Sequence, residues 1–262
     1  MINDAVINWW RAQNIQTKDD LRNALENFSI VFATNSNSIE GNRLTYHETR
    51  DIFEGKDVSI NEVSVREIFE AQNQKFAFES ILENFEKKEP LSIRIISQFH
   101  RVLMSGCYDS TIWSRGERPG HFKKNDYTIG MQEVGAFPDE VENEIKDLLA
   151  EINSWDGDVL LAAAYFHARF ENIHPFADGN GRTGRLLLNY YLLLQNYPPL
   201  IISTEDKNVY YLALEVYDRT EEISGLKLLL EEELNKTWQS KVNKSMKKRL
   251  NKLNSDRIEE VS

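Results

Sequence analysis

The chain has 262 residues, of which 41% are hydrophobic and 28% charged, and this composition excludes wholesale disorder. It contains only 12 glycines and 6 prolines, which argues against a strand-rich sandwich or barrel and predicts a mostly helical fold. The net charge of −11 makes the surface a poor general partner for nucleic acid.

Compartment and partners follow from the same simple features. The longest apolar stretch, near 186–194, is far short of the ~20 residues that a membrane span needs. The N-terminus lacks the basic and then apolar pattern of a secretory signal, and the single Cys107 excludes an internal disulfide. We therefore expect a cytoplasmic protein without a membrane partner. The acidic body and the basic segment after 236 permit a homo-oligomer without requiring one.

Helical periodicity dominates the chain in order. It predicts helices near 21–32, 65–85, 95–103, 141–152, 159–170, 182–194, 205–217 and from 226 into the basic tail. The stretches at 159–170 and 182–194 are apolar nearly all round, which is typical of central helices. We expect an all-α bundle around this central pair, with an N-terminal helical region at 1–88, a core at 89–198 and C-terminal helices at 199–262.

One segment, 115–130, breaks the helical pattern because it contains three glycines, a proline and an asparagine. It places Lys124, Asn125 and Asp126 between short stretches of strand-forming residues, Phe122 on one side and 127–129 on the other. This arrangement predicts a small β-hairpin with its turn at 124–126.

The polar loop at 174–185, HPFADGNGRTGR, carries the chemistry. Its glycines allow consecutive N–H groups to converge on an anion, and the following helix directs its positive end to the same place. Arg182 and Arg185 share one face of that helix and suit a polyphosphate. Asp178 is a hard oxygen ligand suited to Mg²⁺, and His174 can accept a proton near neutral pH.

This loop resembles the Fic-domain signature, H-x-F-x-(D/E)-G-N-G-R-x-x-R, at every specified position. The resemblance extends from about residue 28 to 230. It implies an all-helical fold with a hairpin called the flap, near 115–132. It also implies transfer of AMP from ATP to a serine, threonine or tyrosine hydroxyl of a target protein, with ATP and Mg²⁺ as co-substrate and cofactor.

The resemblance implies a role for each matching residue. His174 is expected to be the general base and Asp178 the Mg²⁺ ligand. The nucleotide is expected to contact Gly179, Asn180, Gly181, Arg182, Thr183, Gly184 and Arg185 in the loop, and Tyr210, Tyr211 and Asp218 on the adenine side. The flap residues expected to line the site and pin the target are Ile129, Gly130, Met131 and Gln132.

A second motif lies at 34–42, TNSNSIEGN. Ser36 and Glu40 fall on one helical face and Gly41 is a natural helix stop. From the residues alone, a frayed polar helix end is the simpler interpretation. The segment matches the (S/T)-x-x-x-E-(G/N) inhibitory motif of Fic proteins, and its N-terminal position resembles the class called class II. Glu40 is then expected to pair with Arg185 and to keep the γ-phosphate away.

Three alternatives remain open at this stage. The protein could both attach and remove AMP, because in some relatives the inhibitory glutamate assists hydrolysis. It could transfer another nucleotidyl group, or phosphocholine. It could also be a non-catalytic nucleotide sensor that binds partners through its helical surfaces, although the intact His174 and Asp178 argue against this.

Overall fold

The structure is a computed structural model that describes residues 2–56, 63–129, 132–133 and 135–259. Its α-helices are α1 (Ile2–Arg11), α2 (Lys18–Ala24), α3 (Phe28–Ile39), α4 (Tyr46–Glu54), α5 (Val65–Glu86), α6 (Ile93–Leu103), α7 (Ser110–Ser114), α8 (Val141–Asn153), α9 (Val159–Ile173), α10 (Asn180–Leu194), α11 (Lys207–Thr220) and α12 (Ser224–Glu259). A 3-10 turn, Thr204–Asp206, precedes α11. Two short strands are β1 (Thr128–Ile129) and β2 (Gln132–Glu133).

The prediction of a mostly helical chain is confirmed, but the single helix predicted at 21–32 is two helices, α2 and α3, with residues 25–27 between them. Helices α1, α4 and α7 were not individually predicted, because their 10, 9 and 5 residues offer few turns for a periodic pattern to stand out. Helix α10 begins at Asn180, before the predicted start at Arg182. None of the described helices combines the length and the apolar character that crossing a membrane requires.

Helices α9 and α10 form the centre of the bundle and pack against each other. Residues 186–193 of α10 are all buried, including Asn189, whose side-chain amide exchanges two hydrogen bonds with the backbone of Leu200. A helix buried on every side is a rigid base. The loop between α9 and α10 is therefore held at both ends by the core.

Helix α3 is anchored at its start by an aromatic cluster and reaches the central helices at its end. The Phe28 ring stacks on Trp238 of α12, with ring centroids 5.7 Å apart. Trp9 and Trp10 of α1 pack on the same indole. Gly41, at φ +93°, stops the helix with a backbone conformation that glycine adopts without strain. This geometry brings the polar end of α3 to the first turn of α10.

The predicted position of the hairpin turn, 124–126, is wrong. The strands that pair antiparallel are β1 and β2, with Thr128 opposite Glu133 and Ile129 opposite Gln132. The predicted turn is instead bound to the buried carboxylate of Glu117, which accepts hydrogen bonds from the Lys124 N–H and the Asn125 side chain. A buried carboxylate needs such donors, so Glu117 organises this segment as a loop.

Candidate active site

The loop at 174–185 is fixed by backbone conformation and by one asparagine. His174 ends α9 in the left-handed conformation, at φ 50°, and Gly179 adopts φ 81° immediately before α10. The Asn180 side chain accepts a hydrogen bond from the Phe176 N–H at 2.9 Å and donates one to the Phe176 carbonyl at 2.8 Å. Its amide therefore closes the loop.

His100 of α6 packs against the loop at 174–185 and holds it in place, and the sequence did not indicate this role. Its ring stacks on Phe176 with centroids 3.6 Å apart and planes 5° apart. The Gly120 N–H donates to His100 Nδ1 at 2.7 Å, so the ring proton lies on Nε2, which is 2.9 Å from the Asp178 carbonyl oxygen. Burial lowers the pKa of His100 to about 3, so the ring stays neutral and keeps this hydrogen-bond pattern.

His174 lies between the two ends of the segment that carries the hairpin. The Lys123 N–H donates to the Pro175 carbonyl at 2.9 Å, and the Ala136 N–H donates to the Ile173 carbonyl at 3.0 Å. Gly135 approaches so closely that a Cβ there would lie 2.5 Å from the His174 Cβ. Burial, together with the charge of Lys123, lowers the pKa of His174 to about 4. The imidazole is therefore neutral at neutral pH and able to accept a proton.

Asp178 is the only carboxylate of the loop, and both of its oxygens have partners. Oδ1 accepts the Gly179 N–H at 2.6 Å, and Oδ2 lies 2.6 Å from Arg66 Nη2 on α5. In the described residues, no group of three or more acidic, histidine or cysteine side chains could hold a metal alone. Mg²⁺ commonly binds through one or two carboxylates plus substrate phosphates. The partly exposed Asp178 fits that kind of site.

Arg185 is almost fully buried and is held by the end of α3. Its Nε donates to Ser36 Oγ at 3.0 Å, and its Nη2 donates to the Ser36 carbonyl at 2.9 Å and to Glu40 Oε1 at 2.7 Å. Ser36 and Asn37 are 2% and 3% exposed, which excludes the frayed helix end considered above. The interaction of Glu40 with Arg185 joins residues 145 positions apart in the chain.

The Glu40 carboxylate occupies the N-terminal turn of α10. A Cβ at Gly181 would lie 2.4 Å from Glu40 Oε1, so only glycine allows this approach. Burial raises the pKa of Glu40, but the charge and hydrogen bond of Arg185 outweigh it, and the net pKa is lowered. A helix N-terminus with an arginine beside it is a favourable place for an anion, and here the protein supplies that anion itself.

Arg182 has a partner that sequence reasoning missed. Its Nη1 lies 2.6 Å from Glu70 Oε1 of α5, with side chains 4% and 8% exposed, and its Nη2 lies 3.5 Å from Asp178. Among the described residues its buried Nε has no hydrogen-bond acceptor. The only signal in the sequence was the four-residue spacing of Arg66 and Glu70 on one helical face, which does not reveal a partner on another helix.

The expected adenine-side residues divide into buried and exposed ones. Tyr210 is 1% exposed, so its ring is not accessible to an adenine ring in this structure. Its hydroxyl lies 2.9 Å from His167 Nε2 and accepts a hydrogen bond from Arg185 Nη1 at 3.5 Å. Tyr211 is 40% exposed, and its hydroxyl donates to the Ile39 carbonyl at 3.4 Å. The exposed Asp218 accepts a hydrogen bond from Asn172 at 2.9 Å.

The remaining residues predicted to contact nucleotide or target belong to α10 and to the segment 129–132. Thr183 is buried and its hydroxyl donates to the Gly179 carbonyl, while Gly184 packs closely against Glu171. Ile129 and Gln132 form the paired ends of the two strands. Gly130 and Met131 lie outside the described residues.

Comparison with known proteins gives a consistent result. The model of the Fic/DOC family matches residues 90–192. The chain is 30% identical over 199 residues to a protein named protein adenylyltransferase Fic from Drosophila persimilis, covering 75% of this chain and 37% of that protein. The protein of the same name from Drosophila yakuba is 31% identical over 194 residues, with coverages of 73% and 37%. The chain thus spans little more than a third of the curated relatives it matches.

Solved structures share the fold. A Fic domain containing signaling protein from Bacteroides thetaiotaomicron aligns with a TM-score of 0.74 at 25% identity, covering 93% of this chain and 94% of that one. Fic-1 from C. elegans aligns with a TM-score of 0.77 at 24% identity, covering 95% of this chain and 72% of that one. With the complete signature at 174–185 and these similarities, the chain belongs to the Fic/DOC family.

Proposed function

We propose that this protein is an autoinhibited adenylyltransferase that transfers AMP from ATP to a hydroxyl side chain of a target protein. One observation carries the proposal. A neutral histidine, a partly exposed carboxylate and a buried arginine converge on one loop, and the Glu40 carboxylate lies at the helix N-terminus where a phosphate group would bind.

His174 acts as the general base. A hydrogen bond to the Glu171 backbone orients the ring and leaves one ring nitrogen to take the proton of the target hydroxyl. The hydroxyl oxygen then bonds to the α-phosphorus, the bond from that phosphorus to the bridging oxygen breaks, and pyrophosphate leaves with the electron pair. The positive end of α10 and the two arginines stabilise the charge that develops on the phosphates.

Asp178 would hold Mg²⁺ together with phosphate oxygens of ATP. When bound, Mg²⁺ supplies positive charge against the triphosphate and helps to fix its orientation. The protein's own contribution is the rigid placement of the carboxylate, which the Gly179 N–H holds from the loop side and His100 supports through the Asp178 carbonyl.

Glu40 suppresses the reaction by competition for Arg185. An arginine that is hydrogen-bonded to Ser36 and ion-paired to Glu40 cannot also receive a γ-phosphate, and the carboxylate repels that phosphate. A nucleotide that binds without this contact would present its α-phosphorus in the wrong orientation for in-line attack. Release of α3 from Arg185 would therefore activate the enzyme.

We expect the rate of transfer to fall only at an unusually low pH. The base works in its neutral form, so activity is lost as pH falls through the pKa of His174, which is about 4 rather than the ordinary value near 6.5. We expect kcat/KM of a Glu40→Gly variant, measured with protein substrate, to stay flat between about pH 6 and 8. A half-maximal value near pH 6.5 would contradict the buried environment assigned to His174.

Labelled nucleotides test the function itself. Cell extract is incubated with the Glu40→Gly variant, which lacks the proposed inhibitory carboxylate, and with ATP labelled at the α-phosphorus. Parallel samples contain UTP labelled at the α-phosphorus or ATP labelled at the γ-phosphorus. We expect protein-bound label from α-labelled ATP only. Label from UTP would indicate another nucleotidyl group, and nucleotide binding without any transfer would favour a nucleotide sensor. Mass spectrometry for added AMP identifies the target.

A further inference from the structure

Arg66 of α5 contacts the carboxylate to which we assign Mg²⁺. Its Nη2 lies 2.6 Å from Asp178 Oδ2, and its Nε lies 2.9 Å from Oε1 of Glu70, one helical turn further along α5. The same guanidinium thus bridges two carboxylates that come from different parts of the chain. Burial lowers the pKa of Arg66, but the hydrogen bonds and charges of Glu70 and Asp178 raise it by more. The net pKa lies above the ordinary value, so the group is always charged.

The two contacts of Arg66 differ in their exposure to solvent. The Arg66 and Asp178 side chains are 41% and 27% exposed, whereas Glu70 is 8% exposed. Glu70 is also held by Arg182 at 2.6 Å and by the Asn42 amide at 2.9 Å. The contact with Asp178 is therefore the one at the accessible surface, and the contact with Glu70 belongs to a fixed, buried network.

Asp178 would keep its position without Arg66. Its Oδ1 accepts the Gly179 N–H, and its backbone carbonyl is bound by His100. The oxygen that Arg66 covers, Oδ2, is the one that the loop itself leaves open. A divalent cation at Oδ2 would repel a guanidinium at the same oxygen, and Arg66 retains Glu70 as a partner when it moves away.

We propose that Arg66 competes with Mg²⁺ for Asp178. Its guanidinium neutralises the Asp178 carboxylate in the nucleotide-free enzyme and moves away from it when Mg²⁺ and nucleotide bind. Arg66 thereby sets the affinity of the site for the metal. This inference rests on the proposed function, because that function assigns Mg²⁺ to Asp178. Arg66 is a residue that tunes the site, since it acts through Asp178 and Glu70 and does not touch the reacting atoms.

The test measures metal binding directly. The full chain carrying Glu40→Gly is saturated with α,β-methylene-ATP, which cannot release pyrophosphate, and is titrated with Mn²⁺ as a probe of the Mg²⁺ site by electron paramagnetic resonance. The variants Arg66→Gln, Arg66→Lys and Asp178→Asn are added to this background. Arg43→Gln is the matched control, because Arg43 also pairs with a glutamate of α5, Glu67, at 3.0 Å.

Removal of the competing charge in Arg66→Gln is expected to tighten Mn²⁺ binding about tenfold. Arg66→Lys, which retains the charge, and the Arg43→Gln control are expected to stay within about threefold of the parent. Unchanged or weaker Mn²⁺ binding in Arg66→Gln would overturn the inference while leaving the proposed function intact, provided that Asp178→Asn weakens binding. Mn²⁺ affinity that is unchanged by Asp178→Asn would overturn both, because the metal would then lie elsewhere. The melting temperature without metal, measured for each variant, verifies that the chain is folded.

Discussion

In a Glu40→Gly variant, the rate of AMP transfer is expected to rise about 100-fold over that of the wild-type protein, including transfer onto the protein itself. The increase corresponds to about 2.7 kcal/mol, which lies within the coupling energies of close, partly desolvated charge pairs. The substitution removes the carboxylate that lies 2.7 Å from Arg185 and frees the N-terminal turn of α10. Glycine suits the position because Glu40 follows the last residue of α3. The measurement is incorporation of label from α-labelled ATP.

Two further variants separate this effect from a general loss of an ion pair. Glu40→Gln removes the charge with little change in shape, and its rate should also exceed that of the unmodified protein. Glu79→Gln breaks a pair with Arg22 at 2.6 Å that touches no residue of the loop, and it should change nothing. Equal labelling in Glu40→Gly and the unmodified protein would show that Glu40 is not the inhibitory residue.

Replacement of His174 by alanine in the Glu40→Gly background is expected to reduce transfer by at least about a thousandfold. General acid–base catalysis contributes roughly 10²–10⁴-fold, and His174 is the histidine of the signature loop. Nucleotide affinity should change by less than about threefold, because the arginines and the helix N-terminus that hold phosphates remain. Isothermal titration with α,β-methylene-ATP measures the affinity, and single-turnover labelling measures the rate.

The control for this experiment is His47→Ala, which removes an exposed histidine of α4. It should retain full transfer. If His174→Ala transfers AMP at a rate close to that of its parent, then another group removes the proton and the base assignment is wrong. A parallel loss of nucleotide affinity would instead point to collapse of the loop that His174 begins.

Local sequence determined the helices and the active-site loop. The apolar residues of α9 and α10 recur nearly all round, so burial of both helices followed from the local pattern. The HPFADGNGRTGR segment was sufficient to place a histidine, a carboxylate and two arginines together. The predicted hairpin turn at 124–126 is wrong, because the capture of that segment by the buried Glu117 depends on folding and leaves no local pattern. The boundaries at 88 and 198 stay a prediction.

Only the tertiary structure decided which charges meet. Arg66 and Asp178 are separated by 112 positions, and Glu40 and Arg185 by 145, so no spacing rule relates them. The amphipathic pattern of a helix reports which face is buried but not which helix covers it. The resemblance supplied the Glu40 contact, whereas the contacts of Arg66 and Glu70, and the placement of His100 beneath the loop, appear only when α5 and α6 pack against it. Long-range electrostatic pairing is set by packing, and for that reason residue patterns without the family resemblance could not specify it.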